Sequence, residues 1–443
     1  MNLDRFRVLP WLMVVILSLI STASAEWKEK VLYSFQGIPD GSGPVGAVVF
    51  DQAGNLYGAT TEGGSSSCHS VTQCGTVFQL APPAQQGDPW TETVLYVFKG
   101  NASNDGATPV GGLVIDSSGN LYGTTGYGGT GDCILVGLRL GCGTVYELSP
   151  PAQKGGAWTE TILYSFPTAK QGYLPNGDLV FDSAGNLYGA TMFGGGFGTT
   201  CDPFYQYCGS VFKLSPPKTK GGKWTEKVLH GFAGGMDGLA PTGGLILDDK
   251  GAVYGTTSGG GGPGWGTAFE LKQPTKKGGA WTEKILHLFA NGTDGASPNG
   301  GLIFDTKGAL YGTTLSGGLG VEGTVFRLTK TSGGRWAETI LYSFSYLNTD
   351  DGTFPVGGLA LDKSGDLYGT AGAGGTYNGG VAYRLKPAGP GKTWPLTVLY
   401  DFERTPDGSG PEARLINDGA GSLYSTTSGG GTPGNGTVFK VAP

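Results

Sequence analysis

One stretch of sequence, clearest at Gly111–Gly129 as GGLVIDSSGNLYGTTGYGG, occurs seven times in the chain. In it the apolar run Leu113-Val114-Ile115 meets Asp116, a four-residue turn closes on Gly119, and a second short run follows through Leu121 and Tyr122. β-formers on either side of an Asp/Gly turn predict a tight β-hairpin. The central tyrosines, Tyr57, Tyr122, Tyr188, Tyr254, Tyr311, Tyr368 and Tyr424, recur at intervals of 65, 66, 66, 57, 57 and 56 residues. Repetition on this scale restricts the chain to a propeller, a solenoid or an array before any single residue is weighed.

Each unit carries four β-like pieces. In the second unit they are Leu113–Asp116, Asn120–Thr125, Gly143–Leu148 and Trp158–Phe166, joined by Gly/Pro/Ser-rich linkers such as Ser149–Ala157. No stretch sustains a 3.6-residue period, so no helix is predicted beyond the N-terminal segment. Four short strands repeated seven times predict an all-β, seven-bladed β-propeller. A β-helix is the rival, but its coils are usually shorter and lack long loops at every turn.

The ends of the chain test this independently. The fourth-strand motif begins at Trp27, Trp90, Trp158, Trp224, Trp281, Trp336 and Trp394, and its first copy, Trp27–Phe35, precedes any hairpin. The last unit stops after its third strand, Gly436–Val441. The N-terminal strand is thus the piece that completes the last blade, and closing the ring removes two edges that would invite aggregation.

Glycine, at 85 of 443 residues, is extreme. Collagen is excluded by the lack of a Gly-x-y period, and disorder by apolar and aromatic residues that recur on schedule. At the N-terminus, Arg5 and Arg7 precede an apolar stretch from Val8 to Ile20 and a small-x-small site at Ala23-Ser24-Ala25. These are the parts of a signal peptide over residues 1–25; an uncleaved anchor would need a longer span. The mature chain, residues 26–443, then forms one domain. It loses two Arg and one Asp, which takes the formal charge from −6 to −7. A mildly acidic surface without a basic cluster argues against nucleic acid or anionic membrane as partner. No span follows the leader, and a monomer is expected.

The run LYSF…DGxxP…GGLVFDxxGNLYGTT…GG, as in Leu163–Gly195 and Leu341–Gly375, resembles the GloVer tandem-repeat proteins and covers nearly all of the mature chain. The resemblance implies an exported location, extracellular, cell-surface or periplasmic, rather than a reaction. The chain departs from the anchored pattern of that family by ending at Ala442-Pro443 without a sorting segment.

Several residue sets could carry chemistry. The hairpin aspartates Asp51, Asp116, Asp182, Asp248, Asp305, Asp362 and Asp418 read as turn caps, with Gly three residues on at positive φ. A second set, in Asp-Gly-x-x-Pro, is Asp40, Asp105, Asp237, Asp294, Asp351 and Asp407, with Gln171 replacing Asp in the third unit. These six could ring one face as a binding surface. They leave room for a structural or channel-mouth cation such as calcium, although one carboxylate per loop is sparse for it and no cofactor is otherwise expected. Cysteines fall in pairs in the first three units: Cys68 and Cys74, Cys133 and Cys142, Cys201 and Cys208. Each pair brackets the loop between the second and third strands. Three local disulfides suit an exported chain better than zinc, since the spacings vary and His69 is the only histidine nearby.

The Asp-Gly loops and the Cys-bearing loops fall on the same face of the disc. That face carries aromatics, Tyr127, Phe197, Tyr205, Trp265 and Tyr377 among them, that either stack on a sugar or partner protein or pack over neighbouring blades. His230 and His287 stand where other units have Tyr and read as tolerated substitutions. The fourth-strand glutamates Glu29, Glu92, Glu160, Glu226, Glu283 and Glu338 read as outer-strand surface positions. No catalytic residue and no metal ligand set is selected. The resulting expectation is a non-catalytic binding module for carbohydrate or a cell-surface partner. The alternative is a polysaccharide-active hydrolase or lyase with carboxylates on the central face, and it requires Asp178, Glu412 and Arg414, in the most deviant units, to converge in one pocket.

Overall fold

Each repeated hairpin forms for a local reason. Asp51 Oδ1 accepts hydrogen bonds from the backbone N–H groups of Ala53 and Asn55, and its Oδ2 accepts from the Tyr57 hydroxyl at 3.0 Å. The same pattern holds at Asp116 and at each of the other hairpin aspartates through Asp418. The glycine that closes the turn has φ between 76° and 101° in all seven copies, a region that a side chain would disfavour. Asp and Gly are therefore parts of the turn, as the sequence predicts.

The computed structural model describes residues 26–443 except 66–67, 69–73, 86, 136, 154, 196–207, 220, 277 and 390. Seven antiparallel sheets follow one another around a ring as a seven-bladed β-propeller. In the first blade the strands are Val49–Phe50, Leu56–Thr60, Thr76–Ala81 and Thr91–Val97. The last blade consists of Ile416–Asn417, Leu423–Thr427, Thr437–Ala442 and the N-terminal strand Lys28–Ser34. That N-terminal strand pairs antiparallel with Thr437–Ala442, from Lys28 opposite Ala442 to Ser34 opposite Thr437. The ring closes as the chain ends predict.

Details differ from the expected four pieces. In the second and fifth blades the innermost strand is split, as Gly106–Pro109 with Val114–Ile115 and Ala296–Pro298 with Ile303–Phe304. The Cys-bearing loop of the second blade adds a ribbon, Ile134–Leu135 with Leu138–Arg139. Among the described residues three short 3-10 turns occur, at Asn101–Ser103, Gly235–Asp237 and Thr349–Asp351. Among the described residues no helix is long and apolar enough to cross a membrane.

The core lies between blades. Every fourth strand ends in a fully buried Phe, from Phe35 to Phe402. Each packs edge-on against the third-strand aromatic of the next blade, as Phe35 does on Phe78 and Phe98 on Tyr146, with centroids about 5 Å apart. A second-strand glycine such as Gly58 leaves the space that Phe78 fills; a Cβ there would stand 2.5 Å from the ring. Burying each Phe stabilises by roughly 1.5–3 kcal/mol, and the ring pair adds about 0.5–1.5 kcal/mol. A register shift between third and fourth strands in every blade, for instance at Val31/Tyr33, re-aims the residues that follow. Those residues are the Tyr and His side chains considered next.

Candidate functional site

The aspartates of the Asp-Gly loops are each engaged by side chains at a blade junction. Each sits between two blades, where the fourth-strand Tyr or His of the preceding blade reaches it. The Tyr33 and Tyr96 hydroxyls donate to Asp40 and Asp105 at 2.9 and 2.8 Å, and Tyr400 to Asp407 at 2.6 Å. Tyr342 donates to Asp351. His230 Nε2 lies 3.0 Å from Asp237, and His287 Nε2 3.3 Å from Asp294. Backbone N–H groups of Gln36, Lys99 and Glu403 also donate to their loop aspartates, three of which (Asp40, Asp105 and Asp407) are buried. The loop aspartates thus cap their own turns and tie one blade to the next.

The fourth-strand glutamates correct a sequence expectation. They are not surface groups: each reaches from the following blade towards the same loop. Burial first, and then the charge of Asp40 or Asp105, pushes Glu92 and Glu160 up to about 7. Glu29, beside Asp407, rises to about 8 for the same reasons. In the third unit, where Gln171 stands in for Asp, Tyr164 faces Glu226 instead, and burial raises the pKa of both groups. The signal was present, because Glu160 shares strand parity with Trp158 and Ile162, the side that packs inward.

The loop residues are scattered. Trp265 and Tyr377 are exposed, and Tyr127 packs against the core between the first two blades. Phe197, Tyr205 and Cys201 lie outside the described residues. Cys68–Cys74 and Cys133–Cys142 are disulfides, and Cys208 is disulfide-bonded. The Asp-Gly and Cys-bearing loops share a face: Ser42 bridges Glu62, and Asn101 Nδ2 donates to Arg139 O.

The axial channel is where the repeat is broken. A cavity of about 710 Å³ is lined from all seven blades by the residues that follow the Asp-Gly-x-x-Pro turn. Alternation along the first strands arranges them in two layers. One layer is Val45, Val110, Asn176, Thr242, Asn299, Val356 and Glu412; the other is Ala47, Gly112, Asp178, Gly244, Gly301, Gly358 and Arg414. Between the layers runs a ring of close backbone approaches, in which a Cβ on Gly46 would stand 2.5 Å from Gly111 O, and one on Gly243 2.5 Å from Gly301 N. Where five blades carry Ala or Gly, the third and seventh carry Asp178 and Arg414, which meet at 3.7 Å. Gly112 N donates to Asp178 Oδ1 at 2.7 Å and fixes that carboxylate from the neighbouring blade. Glu412 remains open to solvent within the channel, yet enclosure by its walls raises its pKa. Asp178, Glu412 and Arg414 therefore converge on one cavity. The Asp178–Arg414 pair is 32 % and 44 % exposed, so it adds at most about 1 kcal/mol to stability. Stability alone is a weak reason for two charges in a layer of glycines.

Two stretches of the chain, residues 19–201 and 196–439, match the profile of the Gloeobacter/Verrucomicrobia repeat. No curated protein matches the chain. Among solved structures, a gluconolactonase of Xanthomonas campestris is similar at 16 % identity and a TM-score of 0.38, over 68 % of this chain and 78 % of that one. A family AA12 carbohydrate-active enzyme of Trichoderma reesei is similar at 13 % identity and a TM-score of 0.40, over 95 % and 96 %. A Hadza microbial sialidase is similar at 15 % identity and a TM-score of 0.42, over 83 % and 71 %.

Proposed function

The chain belongs to the Gloeobacter/Verrucomicrobia repeat family, and we propose that this member is an exported binding propeller that takes a small polyhydroxylated ligand, of carbohydrate type, in its axial channel. The observation that carries this reading is the break in the repeat, where Asp178 and Arg414 replace Ala or Gly and gather with Glu412 around one cavity. Carboxylates accept hydrogen bonds from paired hydroxyls, and a guanidinium donates in a fixed fork, a complement suited to a sugar. Asn176, Thr242 and Asn299 add neutral donors and acceptors on the same walls. Disulfides in the first two blades support an oxidising, exported environment.

Calorimetric titration of the mature chain with a panel of mono- and oligosaccharides tests the proposal. R414G and D178G restore the small residue that most blades carry, so each should keep the fold and lose at least tenfold in affinity. Binding that survives both substitutions would remove the channel as the site.

The convergence of Asp178, Glu412 and Arg414 on one cavity is also what the catalytic alternative requires, and it favours a second reading, hydrolysis of a glycosidic bond. Enclosure by the channel walls raises the pKa of Glu412, as a proton donor requires, and a second carboxylate, Asp178, lines the same cavity. Turnover of a sugar in that panel, abolished by E412Q while binding persists, would select it.

A further inference from the structure

We propose that His230, Asp237 and Glu283, and one blade further on His287, Asp294 and Glu338, form two sites for a divalent transition-metal ion, each clamping two adjacent blades. In either group one ligand atom from each residue lies within 4.8 Å of the other two. His230 Nε2 is 3.0 Å from Asp237 Oδ1 and 3.8 Å from Glu283 Oε1. In the second group His287 Nε2 is 3.3 Å from Asp294 Oδ2 and 3.5 Å from Glu338 Oε1. Bonds of about 2.0–2.2 Å from zinc to nitrogen and oxygen, in tetrahedral geometry, set ligand atoms roughly 3.3 Å apart. The gathered atoms bracket that spacing.

The second group also holds polar atoms with unmet demand. Glu338 Oε1, and Glu283 Oε1 in the first group, are buried and accept no hydrogen bond, while His287 Nε2 faces the carboxylates of Asp294 and Glu338 without a well-aligned hydrogen bond to either. The Glu338 side chain is only 10 % exposed. An orphaned Glu oxygen recurs where the partner is Tyr, as at Glu92 and Glu160. The two histidines add a nitrogen ligand, and imidazole with carboxylates selects zinc-like ions over calcium or magnesium. Three protein ligands leave a coordination position for water, and side-chain exposures of 20–23 % at His230 and Asp237 leave an entry path. Each ion would join a fourth strand, the loop after it and the fourth strand of the next blade. These interfaces begin where the Cys-stapled blades end.

The test uses the mature chain freed of any affinity tag, stripped with a chelator, and titrated calorimetrically with Zn²⁺ alongside Co²⁺ absorption. Two ions per chain are expected, with the intense visible bands of tetrahedral cobalt and a higher Tm on loading. H230Y should bind one ion and H230Y/H287Y none, while keeping the metal-free Tm, because Tyr occupies this position in the other five blades. E338Q should weaken the second site at least tenfold. The proposal is overturned if the unsubstituted chain binds no zinc at micromolar concentration, or if the double variant keeps the same stoichiometry.

Discussion

Glu160 shows how much a single side chain depends on a neighbouring blade. Burial and the nearby Asp105 raise its pKa to about 7, so the folded chain holds a proton there that the unfolded chain releases near the ordinary carboxyl value of 4.5. Between those two values the native state binds more protons, and stability therefore falls as pH rises. With allowance for partial solvent screening, E160Q should gain on the order of 1 kcal/mol over the unsubstituted chain between pH 5 and pH 8. Urea denaturation at the two pH values would read this; equal differences at both would show that Glu160 ionises freely. Its role was hard to read from sequence because a Thr-Glu-Thr run on an outer strand suggests a solvated edge. Only strand parity with Trp158 and Ile162 hinted otherwise, and the carboxylate facing it comes from the Asp-Gly loop that leads into its blade, far from it in sequence.

At the scale of elements, the hairpins and the Cys-bearing loops behave differently. A hairpin carries its own instructions, since Asp116 and Gly119 complete the turn with no help from other blades. The loop holding Cys133 and Cys142 has a bridge across a short span and a two-residue ribbon inside it. By the chain-entropy model, closing so small a loop stabilises by about 2–3 kcal/mol. C133S/C142S should therefore lower the denaturation midpoint without changing the far-UV spectrum, and a variant as stable as the parent would count against the bridge. The strands were legible because their alternation is local. The split inner strands of the second and fifth blades were not, because their inner segments, such as Gly106–Pro109, pair only with an extended second strand.

For the whole molecule, the decisive element is Lys28–Ser34, which pairs with Thr437–Ala442 and leaves no open blade. Deleting residues 26–36 should expose an unpaired strand edge and the core around Phe78, with loss of cooperative melting and aggregation at micromolar concentration. Moving the same segment behind Pro443 should restore a cooperative monomer; a deletion variant that melts like the parent would disprove the closure argument. The sequence by itself determined the blade, the number of blades and the way the ring closes, because short-range turn chemistry and strand alternation repeat seven times and the two ends are complementary. Tertiary structure alone decided which side chains meet. Asp178 and Arg414 belong to blades on different sides of the ring, and His287 faces Glu338 only because one blade packs on the next. Such contacts depend on the radius and tilt of the closed ring, which no local pattern encodes.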